Sequence, residues 1–130
     1  MIIIIGEPLI LPYSTAKEAC NSLVKEYKDA SITAEIGQLS EDIAYGLVSK
    51  LNGECFLAPK GSAMDCVLKG DIILRIGDKA LVWQVKSSQK GADKHFSLAR
   101  NNGFRGKRFP LPGVIVVDSE IRKVNNIVCN

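Results

Sequence analysis

The chain predicts an α/β fold: one central mixed sheet with helices packed on it. Three observations carry that prediction. An apolar stripe at helical spacing gives way after Gly53 to short runs rich in β-branched residues. Two such runs flank Gly77-Asp78, and a nearly pure β-branched stretch, Val114 to Val117, follows a further helical segment. At 130 residues the chain has the size of one domain with one hydrophobic core, so residues 1–130 are read as a single domain.

Taken in order, Ile2 to Ile5 is a β-branched run closed by Gly6, and Leu9 to Leu11 is a second short apolar stretch before Pro12. Ser14 or Thr15 is placed to cap a helix that carries Ala16, Cys20, Leu23, Val24 and Tyr27 on one stripe. A longer helix follows on Ile32, Ile36, Leu39, Ile43, Leu47 and Leu51, and Asn52-Gly53 ends it. Cys55 to Ala58 reads as a strand and Lys60-Gly61-Ser62 as a loop. Asp71 to Ile76 and Ala80 to Val85 read as two strands of a hairpin turning at Gly77-Asp78. Gly91 to Asn101 reads as a short helix and Gly103 to Pro112 as a loop rich in glycine, proline and arginine. Val114 to Val117 is a strand of the kind buried on both faces, with Ile121 to Val128 as its edge partner. From the long helix onward the order is helix, three strands, helix, strand.

The net charge of +3 is mild and assigns no partner by itself. Its distribution says more. From Lys86 to Arg108 the charged residues are Lys86, Lys90, Lys94, Arg100, Arg105, Lys107 and Arg108 against the single acid Asp93. The first part of the chain leans acidic, through Glu7, Glu18, Glu26, Asp29, Glu35, Glu41 and Asp42. A basic half after an acidic half points to a polyanionic partner. Cys20, Cys55, Cys66 and Cys129 have no CxxC spacing, and His95 alone completes no zinc set with them. The opening Met-Ile-Ile-Ile-Ile is too short and lacks the basic start of a signal segment, and nothing approaches a membrane span. A reduced, cytoplasmic protein with no membrane partner is expected.

The chemistry concentrates in Lys69-Gly70-Asp71 and Val82-Trp83-Gln84-Val85-Lys86-Ser87-Ser88. Side chains alternate along a strand, so Gln84 and Lys86 share one face while Trp83 and Val85 share the other. A lysine on a face bound for a core needs a partner or a function. Phosphodiester cleavage supplies one: it needs a hard divalent cation on oxygen ligands, an activated water and a positive group near the developing charge. Asp71, Gln84 and the Val85 carbonyl are oxygen donors for such a cation, and Lys86 is placed to orient the attacking water or to stabilise charge on the phosphate.

In these residues the chain resembles the PD-(D/E)xK nucleases, whose signature is an acid at the start of one strand and (D/E)-x-K at the end of the next. Gly70-Asp71-Ile72-Ile73 stands for the first part and Gln84-Val85-Lys86 for the second. The run Asp-Ile-Ile followed by Val-Lys-Ser is most similar to small Holliday-junction-resolving endonucleases. Those enzymes also carry a glutamate on a preceding helix and a glycine that ends it, matched here by Glu41 and Gly53. The resemblance covers about Glu35 to Ser88. It implies a restriction-endonuclease-like core, a Mg²⁺- or Mn²⁺-dependent endonuclease, and catalytic roles for Glu41, Asp71, Gln84 and Lys86. Metal ligands would be Asp71, Gln84, Val85 and Glu41, with no small-molecule cofactor.

Between the helix acids, Glu41 is preferred to Glu35 because it lies beside Gly37, Ala44 and Val48, a small-residue side able to approach the sheet; Glu35 and Asp42 share a flank expected to be wet. Two departures stand out. Gly70 replaces the family's frequent proline, and Gln84 replaces its second acid, with Asp65 as a nearby substitute. DNA contacts are expected from Lys60, Ser62, Lys90, Lys94, Arg100, Arg105, Lys107 and Arg108. Phe104 and Phe109 are more simply core residues than base-stacking ones, Trp83 a packing residue, and His95 a solvated helix residue rather than a general base. One active site per small chain favours a homodimer or higher oligomer for cutting two strands, with Ile2 to Ile5 as a candidate interface. Two other readings compete. One is a DNA-binding protein on the same fold, catalytically weakened by Gln84; the other is an unrelated small-molecule α/β enzyme, for which no Gly-rich phosphate loop or nucleophile elbow speaks.

Overall fold

A computed structural model of the chain describes residues 2–25, 32–98 and 102–118. Its framework is a six-stranded mixed sheet with helices on both faces. The strands are β1 (Ile2–Ile5), β2 (Leu9–Pro12), β3 (Glu54–Leu57), β4 (Ile72–Ile76), β5 (Lys79–Lys86) and β8 (Gly113–Val117). They are ordered β1-β8-β5-β4-β3, with β2 also paired to β5. The Gly77-Asp78 turn joins β4 to β5 as expected, with Ile76 opposite Lys79 and Gly77 at φ 62.

β5 is the organising strand. One edge pairs with β4; the other is divided between antiparallel β2 over its first half and parallel β8 over its second. The chain crosses that division where Gly113 donates its N–H to the Glu7 carbonyl, and a Cβ on Gly113 would lie 2.6 Å from that oxygen. Only glycine allows two backbones to approach so closely.

The two faces of β5 have separate cores. Ala80 and Val82 join Leu9, Leu11, Ile73 and Met64 beneath α1 (Tyr13–Asn21) and α3 (Ala63–Cys66). Trp83 and Val85 join Ile72, Leu74, Ile115 and Val117 beneath Ala44 and Val48 of α2 (Ile32–Val48). Ala92 of α4 (Gln89–Ser97) covers Val114 and Val116 on the first of these faces. Trp83 is thus the packing residue it was expected to be, although its buried Nε1–H has no acceptor among the described residues.

Four expectations need correction. The first helix is not capped by Ser14 or Thr15; it begins after Pro12, where Tyr13 donates its N–H to the Asp78 carbonyl at 2.7 Å, a tertiary bond in place of a side-chain cap. It also stops at Asn21, so Leu23 and Val24 are exposed, and Tyr27 lies outside the described residues. On α2 the leucine stripe is not the buried one: Leu39, Leu47 and Leu51 are 46%, 37% and 52% exposed. The helix buries Ser40, Glu41, Ala44 and Val48 instead, with Ala44 and Val48 in the core that holds Trp83, and Ile43 packed against that core.

The segment read as a loop from Gly103 to Pro112 contains a hairpin, β6 (Asn102–Phe104) and β7 (Lys107–Phe109), turning at Arg105-Gly106 with both residues at positive φ. Phe104 is buried in the first core and Phe109 packs against it, which removes Phe104 from base stacking. Finally, His95 is buried rather than solvated, and its Nε2–H donates to the Pro112 carbonyl at 3.0 Å. The strand read over Ile121 to Val128 lies outside the described residues.

Candidate active site

Strand pairing brings the candidate residues to one end of the sheet. Leu57 pairs with Ile72, Ile72 with Trp83 and Lys86 with Val116, so the exits of β3, β5 and β8 and the entrance of β4 lie together. Asp71, one residue before β4, is tied in on both sides: its N–H donates to the Trp83 carbonyl at 2.8 Å and its carbonyl accepts from Ala58 N–H at 2.9 Å. Its Oδ2 accepts the Val85 N–H at 2.8 Å, taking the position a longer β4 backbone would have held. In an antiparallel ladder the N–H and C=O of one residue face the same neighbour, so the Val85 carbonyl points into the same space beyond β4.

Gly70 is required there. A Cβ at this position would lie 2.3 Å from Val82 Cγ1 and 2.9 Å from Met64 Sδ, and the Gly70 N–H donates to the Met64 carbonyl at 2.8 Å. The proline of the similar family would lose that bond and collide with both side chains. Gly70→Pro is accordingly expected to destabilise the fold by about 3 kcal/mol or more. Urea denaturation measures this, and a cost below about 1 kcal/mol would count against the close packing described.

Beside Asp71 stands a charged cluster on the α2 side of the sheet. Glu41 is only 7% exposed, and both its oxygens accept from Lys60 Nζ, at 2.7 and 2.9 Å. It follows Ser40 on the side of α2 that carries Ala44 and Val48, as the small-residue reading expects, while Asp42 is exposed and accepts from Gln38. The side chain of Glu35 lies outside the described residues. Burial, reinforced by the charges of Glu41 and Asp65, pushes the Asp71 carboxyl up to about 7, against the pull of the Val85 hydrogen bond and of Lys60. Burial works to lower Lys60, but the hydrogen bond to Glu41 and the charges of Asp71, Glu41 and Asp65 hold its ammonium above the ordinary lysine value.

Gln84 and Lys86 pair with Val114 and Val116 and so face α4, on the opposite side of the sheet from α2. There they line a cavity of about 200 Å³ with Lys69, Gly91, Lys94 and His95. The four catalytic candidates are therefore split: Glu41 lies with Lys60, Gln84 lies with Lys86, and Asp71 sits at the sheet end between them. Asp65, the suggested substitute acid, accepts from Gly61 N–H at 3.0 Å and contributes its charge to the cluster. Among the described residues no three of His, Cys, Asp and Glu converge on a metal-sized space.

The expected DNA contacts also sort themselves. Lys90, Lys94, Lys107 and Arg108 are exposed. Lys60 is instead the partner of Glu41. Ser62 is buried and caps α3, its Oγ accepting from Asp65 N–H. Arg105 pairs with Glu18 and lies over the Phe104 ring, so its charge is partly answered within the chain. Arg100 lies outside the described residues.

Sequence reading named Lys69 in the motif stretch but gave it no role; it stands at φ 62 immediately before Gly70-Asp71, and that adjacency was the available signal. Cys20 and Cys55 pack half-buried against the two cores, and burial pushes their thiols up, Cys20 to about 11, as inert small hydrophobes. No helix among the described residues is long and apolar enough to cross a membrane. Comparison with known proteins found no matching family model, no matching curated protein and no matching solved structure.

Proposed function

We propose that the chain is a metal-dependent DNA endonuclease of the PD-(D/E)xK type on a restriction-endonuclease-like core, acting in junction resolution, homing or restriction. The observation that carries this reading is the Asp71 carboxylate. It is 6% exposed, held above its ordinary range, and bonded to the backbone between Gln84 and Lys86. A fold keeps a costly buried carboxylate of this kind where chemistry uses it.

Asp71, the Gln84 amide oxygen and the Val85 carbonyl are hard oxygen donors on neighbouring strand ends, of the kind suited to Mg²⁺ or Mn²⁺. Bound there, the cation would polarise a phosphoryl oxygen and lower the pKa of its water. Asp71 orients through its bond to Val85. Lys86, its stem lying against Gly91 of α4, would offer its ammonium to the phosphate. Glu41 joins the set only when Lys60 releases it.

The exposed cations Lys90, Lys94, Lys107 and Arg108 support DNA as the partner. A homodimer or higher oligomer would supply two such centres. The exposed Leu39 and Leu47 of α2, with Leu51 just after it, offer more apolar surface for it than β1, of which only Ile2 and Ile4 are exposed while Ile3 and Ile5 pack inward.

Cleavage of supercoiled plasmid, a four-way junction and linear duplex tests the reading, with Mg²⁺, Mn²⁺ or EDTA. Metal-dependent cutting should fall by about a hundredfold or more in Lys86→Ala. The closed Lys60–Glu41 pair favours a second reading, a DNA-binding protein on the same fold with weakened catalysis. Salt-sensitive DNA binding without cutting of any substrate would select it, and the absence of both activities would sink the nucleic-acid assignment.

A further inference from the structure

Three lysines from separate parts of the fold line one pocket: Lys69 from the turn before β4, Lys86 from the end of β5 and Lys94 from α4. Gln84, Gly91, His95 and Leu98 complete its lining, and no acidic side chain is part of it. Among the described residues none of the three ammonium groups is in an ion pair. Like charges held about one small space repel, and an anion placed among them converts that repulsion into attraction.

The walls are built rather than loose. Lys86 is packed beneath Gly91, where a Cβ would lie 3.5 Å from both its Cβ and its Cδ. His95 is fixed by its bond to Pro112 and by an edge-to-face contact with Phe96. Lys69 is held in the left-handed backbone region, which costs free energy for a residue with a side chain and is retained where the surroundings demand it.

We propose that this pocket binds a phosphate group, the terminal phosphomonoester of a nucleic-acid strand. A phosphomonoester carries close to two negative charges and three unesterified oxygens near neutral pH, which matches three ammonium donors. An internal diester carries one charge and two unesterified oxygens, a poorer match to three ammonium groups. At about 200 Å³ the pocket has room for a phosphate and part of the attached sugar. The inference goes beyond the nuclease reading. It shares Gln84 and Lys86 with that site but requires neither a metal nor cleavage.

Fluorescence anisotropy in EDTA tests it with one short labelled oligonucleotide in three forms: 5′-phosphorylated, 3′-phosphorylated and hydroxyl-ended. The proteins are wild type, Lys69→Asn and Lys94→Gln; asparagine tolerates the left-handed backbone at position 69. A phosphorylated end should tighten binding about tenfold, inorganic phosphate should compete for that gain, and each variant should lose most of it with an unchanged melting temperature. Inorganic phosphate that binds while the three oligonucleotides remain equal would move the pocket to a small phosphate compound and overturn the strand-end assignment. Equal binding of all three, unaffected by phosphate, would overturn the pocket altogether, whatever the wild-type protein does to DNA when metal is supplied.

Discussion

Asp71→Asn is expected to abolish metal-dependent cutting while making the protein more stable above neutral pH. The asparagine Oδ1 still accepts the Val85 N–H, so the strand-end geometry survives, but the buried charge is gone. A carboxyl whose native pKa is raised from 3.8 to about 7 holds its proton in the folded state over a range where the unfolded chain has released it. Stability from this group is therefore fully present below about 3.8, and is lost as pH rises to about 7. The variant has no such loss. Relative to wild type it should gain roughly 4 kcal/mol at pH 8 and much less near pH 4. Thermal melts at the two pH values measure the difference; an equal shift at both would show that burial of the Asp71 charge is not the cause. Because metal binding requires the ionised carboxylate, cation affinity in the wild type should also rise with pH up to about 7.

Lys60→Met should make the stability of the fold depend more strongly on metal than that of the wild type. Lys60 presents its ammonium to both Glu41 oxygens and lies close enough to Asp71 and Asp65 to feel their charges, so it already supplies the positive charge this end of the sheet needs. Methionine keeps the length of the stem and removes the charge. Without it, the largely buried Glu41 carboxylate loses its partner while still feeling the Asp71 charge, and the protein should lose about 2 kcal/mol in the absence of metal; the part-exposed Lys60 keeps the loss below that of a fully buried pair. Added Mg²⁺ or Mn²⁺ should restore the loss and bind about tenfold more tightly than to wild type. Melting temperature against metal concentration reads both effects. A Lys60→Met protein whose melting temperature ignores millimolar Mn²⁺ would show that Glu41 and Asp71 do not converge on a cation.

Much of the fold was legible because local chemistry and tertiary demand agreed. The β-branched Val114–Val117 run is a strand buried on both faces. Gly77-Asp78 is the turn of the β4–β5 hairpin, and alternation along β5 puts Trp83 and Val85 opposite Gln84 and Lys86. The misreadings have common causes. The β6–β7 strands are three residues each, too short for a period to register, and their turn uses Arg105-Gly106 rather than an asparagine or aspartate pair. The leucine stripe of α2 has perfect helical spacing, but spacing reveals a helix and one apolar face, not which face the sheet will accept.

The site divides along the same line. Residue identity and spacing along the chain determined that Asp71, Gln84 and Lys86 would stand at neighbouring strand ends, because a hairpin register follows from its turn. They also singled out Glu41 by its small neighbours. Only the tertiary structure decided that Lys60 would close on Glu41, that Ser62 would be consumed as a helix cap, and that Lys69 and Lys94 would join Lys86 around one cavity. Those contacts join residues distant in sequence across the two faces of a sheet. Their partners are chosen by packing and by the need to answer buried charge, and neither leaves a periodic mark on the chain.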